Sequence, residues 1–179
     1  VLEKVAKLNP GKIILIVGNK KEDVIAYADT LNIPNLEYVE QKEQLGTGHA
    51  VDQARDVLKD FAGDVLILAG DVPLLKTETL TSFINENKKN SAELTDLSTI
   101  APNPHGYGRI VRDSSGAFLK IVEEKDAAEN EKRIQEINSG IFLVEKKILF
   151  ESLSKVKNNN AQGEYYLTDI VTIMKEQNR

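Results

Sequence analysis

The sequence predicts an α/β fold with a mixed, mainly parallel sheet and helices on both faces. Three observations predict it. Short apolar runs alternate with segments of helical spacing through residues 1–90. Residues 13–17 are apolar throughout, as a strand buried on both faces must be. Beyond residue 90 the pattern changes to short strands divided by turn residues, which favours antiparallel pairing.

Val1, Leu2, Val5 and Leu8 open the chain with helical spacing. Strand 13–17 ends at a Gly18-Asn19 turn, and a helix over 21–31 follows with Val24, Ile25, Ala28 and Leu31 at its apolar positions. Leu36 to Val39 is a short strand. A helix over 48–60 sets Ala50, Val51, Ala54, Val57 and Leu58 on one side. Strand 65–69 and helix 77–88 complete the alternating part. Residues 92–100 form the next strand. Strands 109–112 and 118–123 flank Asp113-Ser114-Ser115-Gly116, a hairpin turn. Strand 135–144 precedes two helices, 146–155 and 166–177, with the loop Asn158 to Gly163 between them. There is no internal repeat, low-complexity tract or linker, so residues 1–179 read as one domain.

Composition limits the function classes. A content of 41% hydrophobic and 28% charged residues is ordinary for a globular protein. The net charge of −5 argues against non-specific nucleic-acid binding. The absence of cysteine excludes disulfides and thiolate metal sites. No apolar run approaches the roughly 20 residues that span a membrane, and no signal-like segment opens the chain. A cytoplasmic location is the expectation. The chain begins at Val1 inside an apolar helical pattern, which reads as a piece cut from something longer.

The most informative stretch is Gln41-Lys42-Glu43-Gln44-Leu45-Gly46-Thr47-Gly48-His49-Ala50. It lies where a strand gives way to a helix. Glycines let backbone N–H groups come close to a ligand, and the amides of Gln41 and Gln44 both donate and accept. Together they suit a nucleobase edge and a nearby phosphate. The same residues also read as a plain helix start with Thr47 as N-cap, and both readings can hold at once. A second stretch, Val65 to Leu68, ends in Ala69-Gly70-Asp71-Val72-Pro73. A carboxylate there is either a magnesium ligand or the start of a turn before Pro73. In open sheets of this kind, ligands sit beyond the C-terminal ends of strands, where both stretches fall.

Six segments in order resemble the N-acetylglucosamine-1-phosphate uridylyltransferase family. They are Gln41–Ala50; Gly70-Asp71-Val72-Pro73-Leu74; Gly106-Tyr107-Gly108-Arg109-Ile110; Ile121-Val122-Glu123-Glu124-Lys125-Asp126; Glu136-Ile137-Asn138-Ser139-Gly140; and Asn158 through Asp169. The resemblance spans nearly the whole chain. It implies a Rossmann-like sheet of the nucleotide-diphospho-sugar transferase type, with a nucleotide-binding half at 1–90 and a sugar-binding half at 91–179. It implies Mg²⁺ as cofactor and UTP with N-acetylglucosamine 1-phosphate as substrates. The product, UDP-N-acetylglucosamine, feeds peptidoglycan and lipopolysaccharide. Asp71 is the implied catalytic metal ligand. Gln41, Gln44, Gly46 and Thr47 are assigned to uracil, with Ala69 and Gly70 beside the nucleotide. Gly108, Glu123, Asn138, Tyr166 and Thr168 are assigned to the acetamido-sugar.

Plainer roles stand beside these. Asn138 inside an apolar strand needs a structural partner. Tyr166 reads equally as a core aromatic, and Lys125 as a solvated edge residue. His49 is not a general base, because a phosphate nucleophile is already ionised at neutral pH; it reads as a helix-start packing or loop-bonding residue.

The family's glycine-rich signature loop, which grips the triphosphate, is expected before Val1. A second magnesium ligand and an acetyltransferase domain that makes the parent a homotrimer are expected beyond Arg179. Activity of this chain alone is therefore expected to be impaired, and its strand edges are expected to promote association. The alternatives are a nucleotidyltransferase for another base or sugar, and a non-catalytic binding fragment. Pro73 two residues after Asp71 argues against an Asp-x-Asp glycosyltransferase.

Overall fold

The computed structural model describes residues 1–179. Its elements, in chain order, are α1 (Leu2–Ala6), β1 (Ile13–Val17), α2 (Lys21–Thr30), β2 (Leu36–Glu40), α3 (Thr47–Asp52), β3 (Asp64–Ile67) and α4 (Thr77–Asn90). Then come β4 (Leu94–Ile100), β5 (Arg109–Arg112), β6 (Phe118–Val122), a short 3₁₀ turn (Glu131–Arg133), β7 (Glu136–Glu145), α5 (Lys146–Leu153) and α6 (Asp169–Glu176). No helix is long and apolar enough to cross a membrane.

The α/β class and the mixture of parallel and antiparallel pairing agree with the sequence. The balance between the two does not. Parallel pairing is confined to β1 and β2, which form a two-stranded sheet of their own. All ladders of the five-stranded sheet are antiparallel, and three of its strands, β3, β4 and β5, pair with β7. The reason is the ten-residue length of β7. Its Phe142–Glu145 segment pairs with β3 on one edge, while β4 occupies the other. β3 and β4 therefore run in the same direction, as alternating βα units require, yet β7 separates them.

Side chains of β7 alternate between two cores, the period of a strand covered on both faces. Phe142 and Val144 join the larger core with Leu149, Leu153 and Ile170 from α5 and α6. Ile141 and Leu143 join the smaller one with Leu80 and Phe83 from α4. Where β7 shifts register against β4, Asp96 faces Phe142 but Ser98 faces Asn138. Three residues, Ser139 to Ile141, oppose Leu97 alone, and Gly140 takes φ +76°. This bulge re-aims the side chains before it.

The helix expected over 48–60 stops at Asp52 and continues as turns. Amides such as Ala54 and Arg55 bond three residues back, which tightens the chain while Ala54 and Leu58 still reach the core. Arg55 fixes these turns by donating to Asp52, the Phe150 carbonyl and Ser154. The 113–116 hairpin forms as expected. Asp113 Oδ1 accepts from the Ser115 hydroxyl and then from the backbone of Ala117 and Ser115, which holds its carboxyl below the ordinary range, and Gly116 supplies φ +85°.

Candidate functional site

Gln41 to His49 folds into a tight loop directly after β2. Gln41 Nε2 donates to the Gly46 carbonyl at 3.1 Å, and Gln44 Nε2 donates to the Gln41 carbonyl at 3.0 Å. Gln44 lies over Gly18 at the end of β1, where a Cβ would come within 2.9 Å of its amide nitrogen. Gly46 takes φ +110°, and a Cβ there would stand 2.7 Å from the Tyr165 carbonyl and 2.9 Å from Glu164 Cβ. A Cβ on Gly48 would stand 3.0 Å from the Tyr165 carbonyl and 3.2 Å from Leu167 N. Three bonds lock this contact: Tyr165 N–H to the Leu45 carbonyl, Gly48 N–H to the Tyr165 carbonyl, and Leu167 N–H to Thr47 Oγ1 at 3.0 Å. Thr47 is thus not the N-cap; Gly46 is. The Thr47 hydroxyl accepts from the protein and keeps its own proton to donate. The N–H groups of Gly46 and Thr47 donate to nothing in the chain.

The same 164–168 segment reaches the second group of residues. Thr168 Oγ1 donates to Glu123 Oε1 at 2.9 Å. A Cβ on Gly108 would sit 3.4 Å from both Glu123 carboxylate oxygens, so a side chain there would crowd the carboxylate. Asn138 N–H donates to the Gly108 carbonyl at 2.9 Å. Asn138 Oδ1 accepts from Gly140 N–H across the bulge, the structural bond the sequence demanded, while its Nδ2 donates to no group in the chain. Gly108, Glu123, Asn138 and Thr168 thus form one connected cluster.

Glu123 also lines a cavity of about 290 Å³ with Asp126, Lys157, Asn160, Tyr166 and Asp169. Burial raises the Glu123 carboxyl, against the lowering effect of the Thr168 bond, and the charge of Asp126 adds to the rise. Burial first, then Glu123 and Asp126, push Asp169 up to about 6. Tyr166 is 7% exposed and its hydroxyl is sealed without a hydrogen-bond partner. Burial, followed by the charge of Asp126, pushes it up to about 12. Tyr166 is therefore a core aromatic that also walls the cavity.

Asp71 stands apart. It is exposed, and no hydrogen bond or ion pair ties it to either group. β3 is antiparallel to β7 with Ile67 opposite Phe142, so the chain leaves β3 toward the end of β7 that carries Asn138. Ala69 is half-buried on this connection, and Gly70 has open space around it. No three histidines or carboxylates converge as a metal cluster. A lone free carboxylate fits Mg²⁺ nonetheless, because that ion keeps waters and takes its other ligands from substrate phosphates.

Several residues that hold the site escaped the sequence reading. Arg109, 1% exposed, donates to the carbonyls of Tyr107 and Lys132 and pairs with Glu124 at 2.6 Å. Glu124 also accepts from Gly106 N–H, so this pair sets the turn that presents Gly108. The signal was an arginine opening an apolar strand. Asp126 anchors the 158–163 loop through Ala161 N–H, and Asn160 closes that loop onto Glu164. Nothing local in sequence marks these long-range partners.

Comparison with known proteins follows the same lines. A family model described as nucleotidyl transferase matches residues 1–179. A protein named bifunctional protein GlmU from Staphylococcus carnosus (strain TM300) is 48% identical over 177 residues. One of the same name from Lactococcus lactis subsp. cremoris (strain SK11) is 46% identical over 177 residues. The alignments cover 99% and 98% of this chain but only 38% of each relative's length. Two structures of UDP-glucose pyrophosphorylase, one with UDP-glucose and one without ligand, superpose with TM-scores of 0.71 and 0.72. At 16% and 14% identity, covering 98% of this chain and 74% of theirs, they share its fold.

Proposed function

Because this chain belongs to the nucleotidyl transferase family, we propose that it serves uridylyl transfer from UTP to N-acetylglucosamine 1-phosphate. In this reaction a phosphate oxygen of the sugar phosphate attacks the α-phosphorus of UTP in line. The bond from that phosphorus to the bridging oxygen breaks, and pyrophosphate leaves with UDP-N-acetylglucosamine as product. No covalent enzyme intermediate is required, so the protein's work is positioning and charge neutralisation.

Gln41, Gln44, Gly46 and Thr47 receive the uracil. The observation that carries this reading is the loop's own bonding. It is tied to Tyr165 and Leu167, while Gln41 Oε1 and the N–H groups of Gly46 and Thr47 remain unpaired. A uracil edge offers one N–H and two carbonyls, which complement such a set. Glu123, Gly108, Asn138 and Thr168 hold the sugar, with carboxylate and amide groups matched to hydroxyl and acetamido partners. Tyr166 shapes the adjoining wall. Asp71 holds Mg²⁺, which when bound neutralises charge on the triphosphate. Asp71→Asn is expected to lower kcat by about a hundredfold while leaving the fold intact. In the full-length protein the same reading includes a cytoplasmic, trimeric enzyme of cell-envelope precursor supply.

The test is pyrophosphate release by the full-length protein with UTP, N-acetylglucosamine 1-phosphate and Mg²⁺. Release with glucose 1-phosphate in preference overturns the sugar assignment, and release with another nucleotide overturns the base. Binding without release identifies a non-catalytic module.

A further inference from the structure

His49 lies between two amide side chains. Gln41 Nε2 is 3.0 Å from its Nδ1, and Gln53 Nε2 is 3.1 Å from its Nε2. A neutral imidazole carries one ring proton, so one nitrogen donates and the other accepts; an imidazolium accepts at neither. Both amides cannot donate to this ring. One of them must present its oxygen.

The bonding around each amide decides which. Gln41 Nε2 also donates to the Gly46 carbonyl and thereby closes the loop from 41 to 46. Turning it would set its oxygen against that carbonyl and open the loop. Gln53 Nε2 makes its other contact, at 3.0 Å, with the carbonyl of His49 itself, one helical turn away. Turning Gln53 likewise sets its oxygen against a carbonyl, but the bond lost lies within one helical turn and the loop from 41 to 46 stays closed. The proton then sits on His49 Nε2 and is donated to Gln53 Oε1, leaving Nδ1 bare toward Gln41.

We infer that His49 is a positioning residue that fixes the Gln41 amide with nitrogen inward and oxygen outward, and so makes the site selective for a base bearing a ring N–H. Gln41 Oε1 accepts no bond within the chain and is not a sealed atom. An imide N–H, as in uracil or thymine, satisfies it. Cytosine presents a bare ring nitrogen in that place, and two acceptors would face each other at a cost of about a hydrogen bond. This rests on the proposal that Gln41 meets the base.

Two measurements test it on the full-length protein. The ring ¹⁵N resonances of His49 are identified by their loss in the His49→Leu variant or, equally, in His49→Asn. The Nε2–H tautomer is expected at His49, and the Nδ1–H tautomer overturns the inference. The second is the affinity for UTP against CTP in the wild type, His49→Leu and His49→Asn. Leucine removes the acceptor and is expected to weaken UTP about tenfold and to shrink the UTP-to-CTP ratio. Asparagine restores an oxygen near the Nδ1 position and is expected to recover most of that ratio. KM for UTP should move while kcat at saturating UTP holds. An unchanged ratio in the leucine variant overturns the inference while the proposed function stands. A wild type that binds no uridine nucleotide overturns both. Should the leucine variant fail to fold, the tautomer of the wild type still decides.

Discussion

The Gln41–His49 loop and the Glu123–Asp169 neighbourhood both meet the 164–168 segment, yet opposite chemistry builds them. The loop is held by neutral groups: two amides, one hydroxyl, one imidazole and backbone. No carboxylate or ammonium group is desolvated in making it. The other region gathers Glu123, Asp126 and Asp169 around one cavity, where burial and mutual repulsion raise two of the carboxyls. Asp96 on β4 extends this character into the sheet. Under the proposed function, a base edge meets fixed neutral geometry, and sugar hydroxyls meet carboxylates kept under electrostatic strain. The first design should respond chiefly to steric change; the second should respond to pH.

The largest expected effect lies at a buried carboxyl of the sheet, beside Glu136. Asp96 Oδ1 is buried without a partner, and burial, followed by the charge of Glu136, pushes its carboxyl from 3.8 to about 7. A carboxyl raised in the folded state contributes stability that is fully present below about pH 4 and is lost as pH rises through 7. Asp96→Asn keeps the shape and removes the charge. It should stabilise the chain by on the order of 4 kcal/mol near pH 8 and by almost nothing near pH 3.5. Urea unfolding at the two pH values measures this. Equal gains at both would show that the charge is not the cause.

The next effect breaks the neutral loop. Gly46→Ala places a Cβ 2.7 Å from the Tyr165 carbonyl at φ +110°. Strain and overlap together should cost about 3 kcal/mol, equally at both pH values. Gly70→Ala is the control, since nothing lies within 4 Å of its Cβ position; it should change stability by less than about 0.5 kcal/mol.

These contrasts also explain what the sequence could disclose. β1, β2 and the hairpin at 113–116 follow from local apolar runs and turn residues, so they are legible. The glycines of the loop are legible as special positions, though not their reason, because Tyr165 lies 119 residues beyond Gly46. The order of strands around β7 is illegible for the same cause: its length invites two edge partners, but nothing local says which. Asp71 was legible as a carboxylate following a strand, although β3 ends at Ile67, earlier than the expected residue 69. Arg109 and Asp126 were not, since their partners at 124, 132 and 161 are set only by folding.

The smallest effects form a matched pair that compares the two regions through one hydroxyl each. Thr47→Val removes the acceptor of Leu167 N–H and leaves a part-buried amide unpaired. The cost should be about 1 kcal/mol and constant with pH, because neither partner titrates. Thr168→Val removes the donor to Glu123 Oε1. That bond favours the ionised carboxylate, so its loss raises the Glu123 carboxyl still further in the folded state. The cost should be absent where Glu123 is protonated in both folded and unfolded chains, and should grow to about 1 kcal/mol as pH rises through its folded titration. Unfolding free energies of both variants across the acid range decide the matter. A pH-dependent cost for Thr47→Val, or a flat one for Thr168→Val, would show that the two regions do not divide as neutral and charged.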